Sequence, residues 1–585
     1  MGPNLKQRDD DPSAQPEAPA SQDLHSGTVR IPKGSRRLLP LLPAVPALKV
    51  EMLTAVEVFS RQHDAGGAGV AGDIYRNLLP LAAPSFGEQY AFQVDLAACT
   101  GCKACAVACH VLNGLDEGET FRTVGQLHSV SEAPVHQTVT SACHHCLEPA
   151  CQTGCPVGAY EKDPLTGIVK HLDDQCFGCQ YCTLMCPYDV PKYNEARGIV
   201  RKCDMCSDRL SHGEAPACVA ACPNDAISIR TVPQALAAAA ADAGVFLPGV
   251  ASPQITKPTT VYLGAEALPS DLLPRGFYRS EPGHWHAPLM LMLTLTQLAV
   301  GTFALSLLQA RLAPELTRDT FLTTALAAAV TLVGLLASVF HLGRPALAWR
   351  AVIGLRTSWL SREALAFGLF FKVLLLCTAV SACGRVGSLG RTLRALPGGV
   401  QLVAALPALQ LLTAALGLGG VACSIMVYAV TRRAQWSAAL TALKFAGTTL
   451  LLGAAALLTL TAFQSDGAVG LARSLRVLSG SVALLAALKL AFEGSLLRDA
   501  RREQRSARNQ VARLMLGALG PVTAVRFAAG TLGAALSVLL FSAMLPESAV
   551  APVALVVLVV LGLGELLERG LFFSASPTLR MPGEA

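Results

Sequence analysis

Sixteen cysteines between Cys99 and Cys222 constrain this chain more than any other feature. They fall into four groups. The first is Cys99, Cys102, Cys105 and Cys109; the second is Cys143, Cys146, Cys151 and Cys155. The third is Cys176, Cys179, Cys182 and Cys186; the fourth is Cys203, Cys206, Cys218 and Cys222. Groups one and three read C-x-x-C-x-x-C-x-x-x-C, and three groups end in Cys-Pro, at Pro156, Pro187 and Pro223. A tight loop sets three thiolates around one iron–sulfur cubane. A fourth cysteine, three residues on, starts a helix pointing away and serves a neighbouring cluster. A lone C-x-x-C also suits zinc, and paired cysteines suit disulfides. Four consecutive quartets with trailing prolines favour iron–sulfur chemistry over both. At four thiolates per cubane, the sixteen cysteines are expected to bind four [4Fe–4S] clusters as metal ligands, with no three-iron cluster. So many metal-binding thiols imply loading in a reducing compartment, normally the cytoplasm.

The remainder of the chain is of another kind. Hydrophobic residues make up 52% and charged residues only 15%, too apolar for an ordinary soluble protein. Nearly all of the excess lies after residue 286. The fold class that follows is multidomain: an α+β double ferredoxin-like iron–sulfur domain, then an all-α eight-helix transmembrane bundle. The net charge of +6 comes largely from arginines between apolar runs. That pattern reads as membrane topology and not as nucleic-acid binding.

In chain order, residues 1–45 read as a disordered tail rich in Pro, Ala, Ser and acidic residues. Arg36-Arg37 ahead of a short, proline-broken apolar run makes a poor export signal. Residues 46–84 form an extension with a short amphipathic helix over 46–63, followed by a loop at Gly66, Gly67 and Gly69. Residues 85–232 are the cluster domain, with strands at Gly167–Val169 and Ala226–Arg230 and helices expected after the Cys-Pro steps. Residues 233–283 read as a linker, 284–573 as the membrane domain and 574–585 as a tail. Eight apolar runs are long enough to span a bilayer: 287–308, 320–341, 361–383, 402–424, 438–463, 474–496, 524–545 and 549–570. Cys377, Cys383 and Cys423 fall in or beside these runs and read as small packing residues, not ligands.

Loops on the N-terminal side of the membrane would carry Arg344, Arg350, Arg356, Arg432, Arg433, Arg498, Arg501, Arg502, Arg505, Arg508 and Arg513. The opposite side would carry Arg311, Arg318, Arg385, Arg391, Arg394 and Arg473. The bias puts the cluster domain on the cytoplasmic side of a cytoplasmic (inner) membrane.

Both halves resemble one known system. CTGCKACAVAC, CHHCLEPACQTGCPVGAYEKDPLTGIVKHLDDQCFGCQYCTLMCPYDVPKY and RKCDMCSDRLSHGEAPACVAACPNDAI resemble the four-cluster electron-transfer subunit of dimethyl sulfoxide reductase-type molybdoenzymes. HWHAPLMLM, HLGRPALAWRA, TSWLSREALAFGLF and LFFSASPTLRMPG resemble the membrane anchor subunit of the same enzymes. Here the two are fused, behind an N-terminal extension of about 90 residues.

The resemblance implies a pairing in which quartets one and four, and two and three, exchange their last cysteines. It gives Cys99, Cys102, Cys105 with Cys222; Cys203, Cys206, Cys218 with Cys109; Cys143, Cys146, Cys151 with Cys186; and Cys176, Cys179, Cys182 with Cys155. It also implies a subunit that is not itself the terminal catalyst. Such a subunit oxidises quinol from the membrane quinone pool and passes electrons to a separate molybdopterin-containing reductase acting on S- or N-oxides or nitrate.

His341, ending the second span, is the expected proton acceptor from quinol. Arg344 either steadies a quinol oxygen or anchors its loop, and Glu363 is a further candidate acceptor. Lys372, mid-span, should face the bundle interior or a wet cavity. Lys489 and Glu493 should neutralise each other, Glu565, Glu568 and Arg569 should be structural, and His284, Trp285 and His286 should form an interface belt. Two rivals remain: reverse flow from a formate- or sulfur-oxidising partner into quinone, and a redox-sensing membrane scaffold.

Overall fold

The computed structural model describes residues 78–80, 82–129, 135–275, 281–312, 320–385, 387–395, 397–463, 469–501, 506–576 and 581–582. The expected tail, short helix and glycine loop before residue 78 lie outside the described residues.

Strand β1 (Glu88–Asp95) is the spine of the cluster domain. Its alternation buries Gln89, Ala91, Phe92 and Val94, as one covered sheet face requires. It pairs antiparallel with β8 (Ile227–Pro233) and parallel with β9 (Val261–Leu263). A second sheet runs β10–β2–β3, with β2 at Thr123–His128, β3 at His136–Ser141 and β10 at Leu273–Pro274. Two small hairpins, β4–β5 (Tyr160–Lys162, Val169–His171) and β6–β7 (Lys192–Asn194, Ile199–Arg201), follow the second and third quartets.

The short helices carry the cysteines, but not where the Cys-Pro steps suggested. Lys103 and Gln180, both in the left-handed region, open α1 (Ala104–Leu112) and α3 (Tyr181–Met185). Helix α1 contains Cys105 and Cys109. Helix α2 (Ala150–Gly154) contains Cys151 and closes on Cys155; α3 contains Cys182 and closes on Cys186. Thus the fourth cysteine ends a helix and does not start one. The proline behind it stops the helix, because it cannot continue the hydrogen-bond ladder. Two further helices, α4 (Ser207–Ser211) and α5 (Ala217–Ala220), separate Cys206 from Cys218 and Cys222.

The stretch expected as a linker folds onto this domain. It supplies helix α6 (Gln234–Asp242) and strands β9 and β10. Buried Leu247, Ala251, Tyr262 and Leu272 share a core with Val94, Leu127 and Tyr188. Its prolines concealed these contacts, since β9 and β10 span only three and two residues. The tail after the last span is also engaged. Ser576 is buried, and Met581 enters the same core beside Val94 and Leu96.

Eight helices are long and apolar enough to cross a membrane: Ala287–Leu312, Phe321–Val339, Trp359–Arg385, Leu406–Ala429, Ala438–Phe463, Ala472–Arg501, Gly520–Phe541 and Glu547–Ser574. They coincide with the eight expected runs. The fifth is the axis of the bundle. Its apolar window is 78% buried, against 28% in the third, sixth, seventh and eighth spans. Glycines permit the closest crossing: a Cβ on Gly301 of the first span would collide with the Thr449 carbonyl of the fifth. The outer faces expose Leu, Val and Phe, as a lipid-facing surface should.

Lys372 belongs to that outer face. Phe370 and Leu374 on either side are fully buried, whereas Lys372 is exposed with Leu369, Leu375 and Leu376. At 100° per residue, the position two after one core residue and two before another points away from the core. Its long stem can carry the ammonium toward a polar boundary.

The buried charges lie between spans one, five, six, seven and eight. Lys489 is 3.9 Å from Glu493 but pairs much more closely with Glu565 of the eighth span. Arg526 bridges Glu565 at 2.7 Å and Glu493 at 3.1 Å, Lys444 holds Glu568 at 2.8 Å, and Arg569 donates to Gln297 and Thr448. The expected Lys489–Glu493 pair is therefore one edge of a larger network. Glu565→Ala would leave Lys489 and Arg526 buried without their main counter-charge. The expected cost is about 3–5 kcal/mol, read as a lowered thermal midpoint in detergent. A midpoint matching wild type would show that the network does not stabilise the bundle.

Candidate functional site

The sixteen cysteines gather in space as four sets. Cys143, Cys146, Cys151 and Cys186 line one hollow of about 380 Å³. Cys99, Cys102, Cys105 and Cys222 line another of about 310 Å³, and Cys109, Cys203, Cys206 and Cys218 a third of about 260 Å³. Cys155, Cys176 and Cys182 are buried in one core with Cys179 packed against it. Each set joins three cysteines of one sequence group to the last of another.

The donors suit a multi-iron cluster. A zinc ion would draw its thiolates to about 2.3 Å from one centre. Among the described residues, no group of three or more His, Cys, Asp or Glu converges on a single ion in that way. The sulfurs stand around hollows instead, and the cysteines are free thiols. Backbone amides point at several of them: Ala159 N–H at Cys155 Sγ (3.2 Å), Gly178 at Cys176 (3.4 Å), Met205 at Cys203 (3.4 Å) and Ala226 at Cys222 (3.3 Å). Such donors stabilise thiolate ligands and tune a cluster. Cys377 is buried against Thr413, and Cys383 and Cys423 are half-buried within the bundle, consistent with packing.

One set lies against the membrane domain. The loop following the second span reaches the turn between Cys176 and Cys179. Gly343 N–H donates to the Gly178 carbonyl (3.3 Å) and Arg344 N–H to the Phe177 carbonyl (3.0 Å). Gly354 N–H and the Ser358 hydroxyl donate to Pro156 and Gly154, 2.7 Å in each case. Arg344 turns its guanidinium to the carbonyls of Asp173 and Cys176. Of its two expected roles, the geometry matches the loop anchor and not a contact to quinol. From the other side, Tyr181 and Met185 enter the membrane core beside Phe367 and Tyr428, and the Tyr181 hydroxyl donates to the Val427 carbonyl (2.7 Å).

His341 lies two residues before this junction. Its ring meets the edge of His286 at 5.2 Å, and His286 meets His284 at 4.9 Å and Phe573 at 5.5 Å. Burial, with His284 nearby, holds His341 down at about 4. His286 is likewise pushed to about 4, by burial and then by His341. Trp285 packs over Gly570 rather than joining an outer belt. Glu363 is buried and accepts a hydrogen bond from Ser424 of the fourth span. His341 and Glu363 have separate neighbours. Between those neighbourhoods Tyr428 meets Phe573 at 5.6 Å. Sequence reasoning placed His286 only in a belt and gave Tyr181 and Ser424 no role. His286 is visible in HWH, and Tyr181 stands between two cysteines, but neither spacing reveals a partner more than fifty residues away.

Residues 281–575 match the dimethyl sulfoxide reductase anchor subunit family (DmsC), and residues 135–232 match a 4Fe-4S dicluster domain. The chain belongs to the DMSO reductase anchor family. Its N-terminal half is 39% identical over 153 residues to the B subunit of anaerobic dimethyl sulfoxide reductase from Escherichia coli, covering 25% of this chain and 74% of the relative. It is 42% identical over 145 residues to the thiosulfate reductase electron transfer subunit PhsB of Salmonella typhi (24% and 74%). It is 34% identical over 171 residues to the formate dehydrogenase-O iron-sulfur subunit of E. coli (26% and 55%). The protein is an iron–sulfur electron-transfer subunit fused to the multi-pass membrane anchor of a DMSO reductase-family complex.

The junction between the halves depends on glycine. Gly178 and Gly198 have φ of +72° and +65°, and a Cβ on Gly343 would overlap the backbone of Gly198. Gly343→Val should therefore open the junction. Limited trypsin digestion would show faster cleavage at Arg344 and Arg350; unchanged cleavage would mean that this contact does not hold the halves together.

Proposed function

We propose that the membrane half oxidises quinol beside His341 and that electrons leave through four [4Fe–4S] clusters to a separate molybdopterin-containing catalytic subunit. The observation that carries this reading is the backbone junction from Phe177–Gly178 to Gly343–Arg344. It sets the Cys155, Cys176, Cys179 and Cys182 group next to the loop that begins at His341. The four cysteine sets would each hold one cluster, which supplies one-electron transfer. Quinol gives up two electrons and two protons. His341, neutral at pH 7, accepts one proton at a ring nitrogen, and Glu363 accepts the other. His286 packs against the His341 ring and limits its orientations.

The positive loops support placing the cluster domain on the cytoplasmic side of the inner membrane. Protons and electrons would then leave on the same side, and turnover would build no membrane potential. An S- or N-oxide or nitrate is the class of terminal acceptor. The likeness to a formate dehydrogenase iron–sulfur subunit favours one second reading, electron flow from an oxidised substrate into quinone. A catalytic partner that reduces quinone with its own substrate, but gains nothing from quinol, would establish that direction.

Membranes containing the wild-type chain should show clusters reduced by a quinol analogue in electron paramagnetic resonance. His341→Arg should leave them oxidised with quinol yet reducible by dithionite. Equal reduction in both proteins would remove His341 from the site. The pH dependence is a second check. The acceptor is the neutral imidazole, and burial places its protonation near 4. Quinol-driven reduction should therefore hold level between pH 7 and 5 and fall as pH approaches 4. A fall centred on the ordinary histidine value near 6.5 would contradict a buried His341 as acceptor.

A further inference from the structure

Two buried cations occupy the junctions between successive cysteine hollows. Lys202 is 4% exposed. It lines the hollow of Cys143, Cys146, Cys151 and Cys186, with its ammonium 3.8 Å from Cys143 Sγ. The same ammonium donates to the Cys203 carbonyl at 2.8 Å and to the Val169 carbonyl. Cys203 belongs to the next hollow. Arg122 is 3% exposed and lines that next hollow. Its Nη1 donates to Thr140 Oγ1 (3.2 Å), which stands 3.5 Å from Cys105 Sγ in the hollow beyond. Its guanidinium lies over the Phe92 ring at 4.5 Å. Among the described residues, Nε and Nη2 of Arg122 are buried without a hydrogen-bond partner. Full burial of a cation is expensive unless negative charge compensates it. Among the described residues, neither cation has a hydrogen-bonded carboxylate. Asp204, beside Lys202, instead accepts from the Cys206 amide and Ser207.

We infer that Lys202 and Arg122 are counter-charges for the two inter-cluster junctions, and that they favour the reduced state of the clusters they flank. Reduction adds one electron, and with it one negative charge, without a proton. A fixed positive charge in a low-dielectric junction stabilises that form and raises its potential. The membrane-facing set has a different environment. Its neighbouring cation, Arg344, is partly exposed, as is Lys162, which donates to the Cys146 carbonyl. Water screens both. Deep in its core the same set has a neutral phenol, Tyr160. Electrons entering at the membrane would thus find the next three sites progressively surrounded by unscreened positive charge. This gives the chain a built-in preference for outward flow. The inference rests on reading the hollows as cluster sites.

The test is a potentiometric titration followed by electron paramagnetic resonance on the full chain in detergent. Wild type would be compared with Lys202→Met, Lys202→Arg and Arg122→Gln. Lys202→Met should lower at least one midpoint by a tenfold change in the reduction equilibrium, about 59 mV for one electron, with spin count and line shape unchanged. Lys202→Arg, which keeps the charge, should stay close to wild type. Arg122→Gln should lower the midpoint of a cluster on its own junction. Unchanged midpoints in both neutral variants would overturn the proposal while leaving the cluster reading intact. If Lys202→Met fails to load its clusters, Arg122→Gln decides by the same criterion. A wild-type protein without reducible clusters would overturn both readings.

Discussion

Everything in this protein depends on how a membrane helix bundle touches a cysteine-rich domain without leaving polar backbone unsatisfied. Turns rich in cysteine expose carbonyls, since their amides face inward to sulfur. Here the outward carbonyls of Gly154, Pro156, Phe177 and Gly178 accept from the loop after the second span and from the start of the third. The junction is therefore an extension of the cysteine loops' own geometry. Side chains contribute at its edges, with Tyr181 reaching the Val427 carbonyl and Arg433 the Thr183 carbonyl. Such a contact tolerates little added volume, which is why three glycines, Gly178, Gly198 and Gly343, meet there.

The two halves handle buried charge in different ways. In the bundle, Lys489, Arg526 and Lys444 are matched with Glu493, Glu565 and Glu568 across four helices. Those pairs cost desolvation and offset it by mutual attraction. In the cluster domain, Lys202 and Arg122 face sulfur, a hydroxyl and backbone carbonyls. The first arrangement is complete with protein atoms alone. The second is complete only when something negative fills the hollows.

Much of this is legible in the sequence because its causes are local or periodic. Quartet spacing marks iron–sulfur loops, and twenty-residue apolar runs can hardly do anything but span. What is not legible has long-range causes. Strands β9 and β10 are too short to show a pattern, and their pairing partners lie more than a hundred residues away. Charge within a span suggests an interior position for Lys372, yet the count of positions from Phe370 and Leu374 places it outside. Proline both opens and stops helices, and at the Cys-Pro steps it stops them; the sequence alone does not distinguish the two. His341 and Glu363 are separable in sequence, but their distinct neighbours, His286 and Ser424, come from other parts of the chain.

Met581 bears on how the protein is made. It lies beyond the eighth span and packs into the core that holds Val94 and Leu96 of the first sheet. Synthesis runs from the N-terminus, so the cluster domain emerges before any helix enters the bilayer. Its core nevertheless stays open at one position until all eight spans have been produced. Final closure of the first domain to be made is thereby tied to completion of the last, giving the fusion an order of assembly that two separate chains would lack.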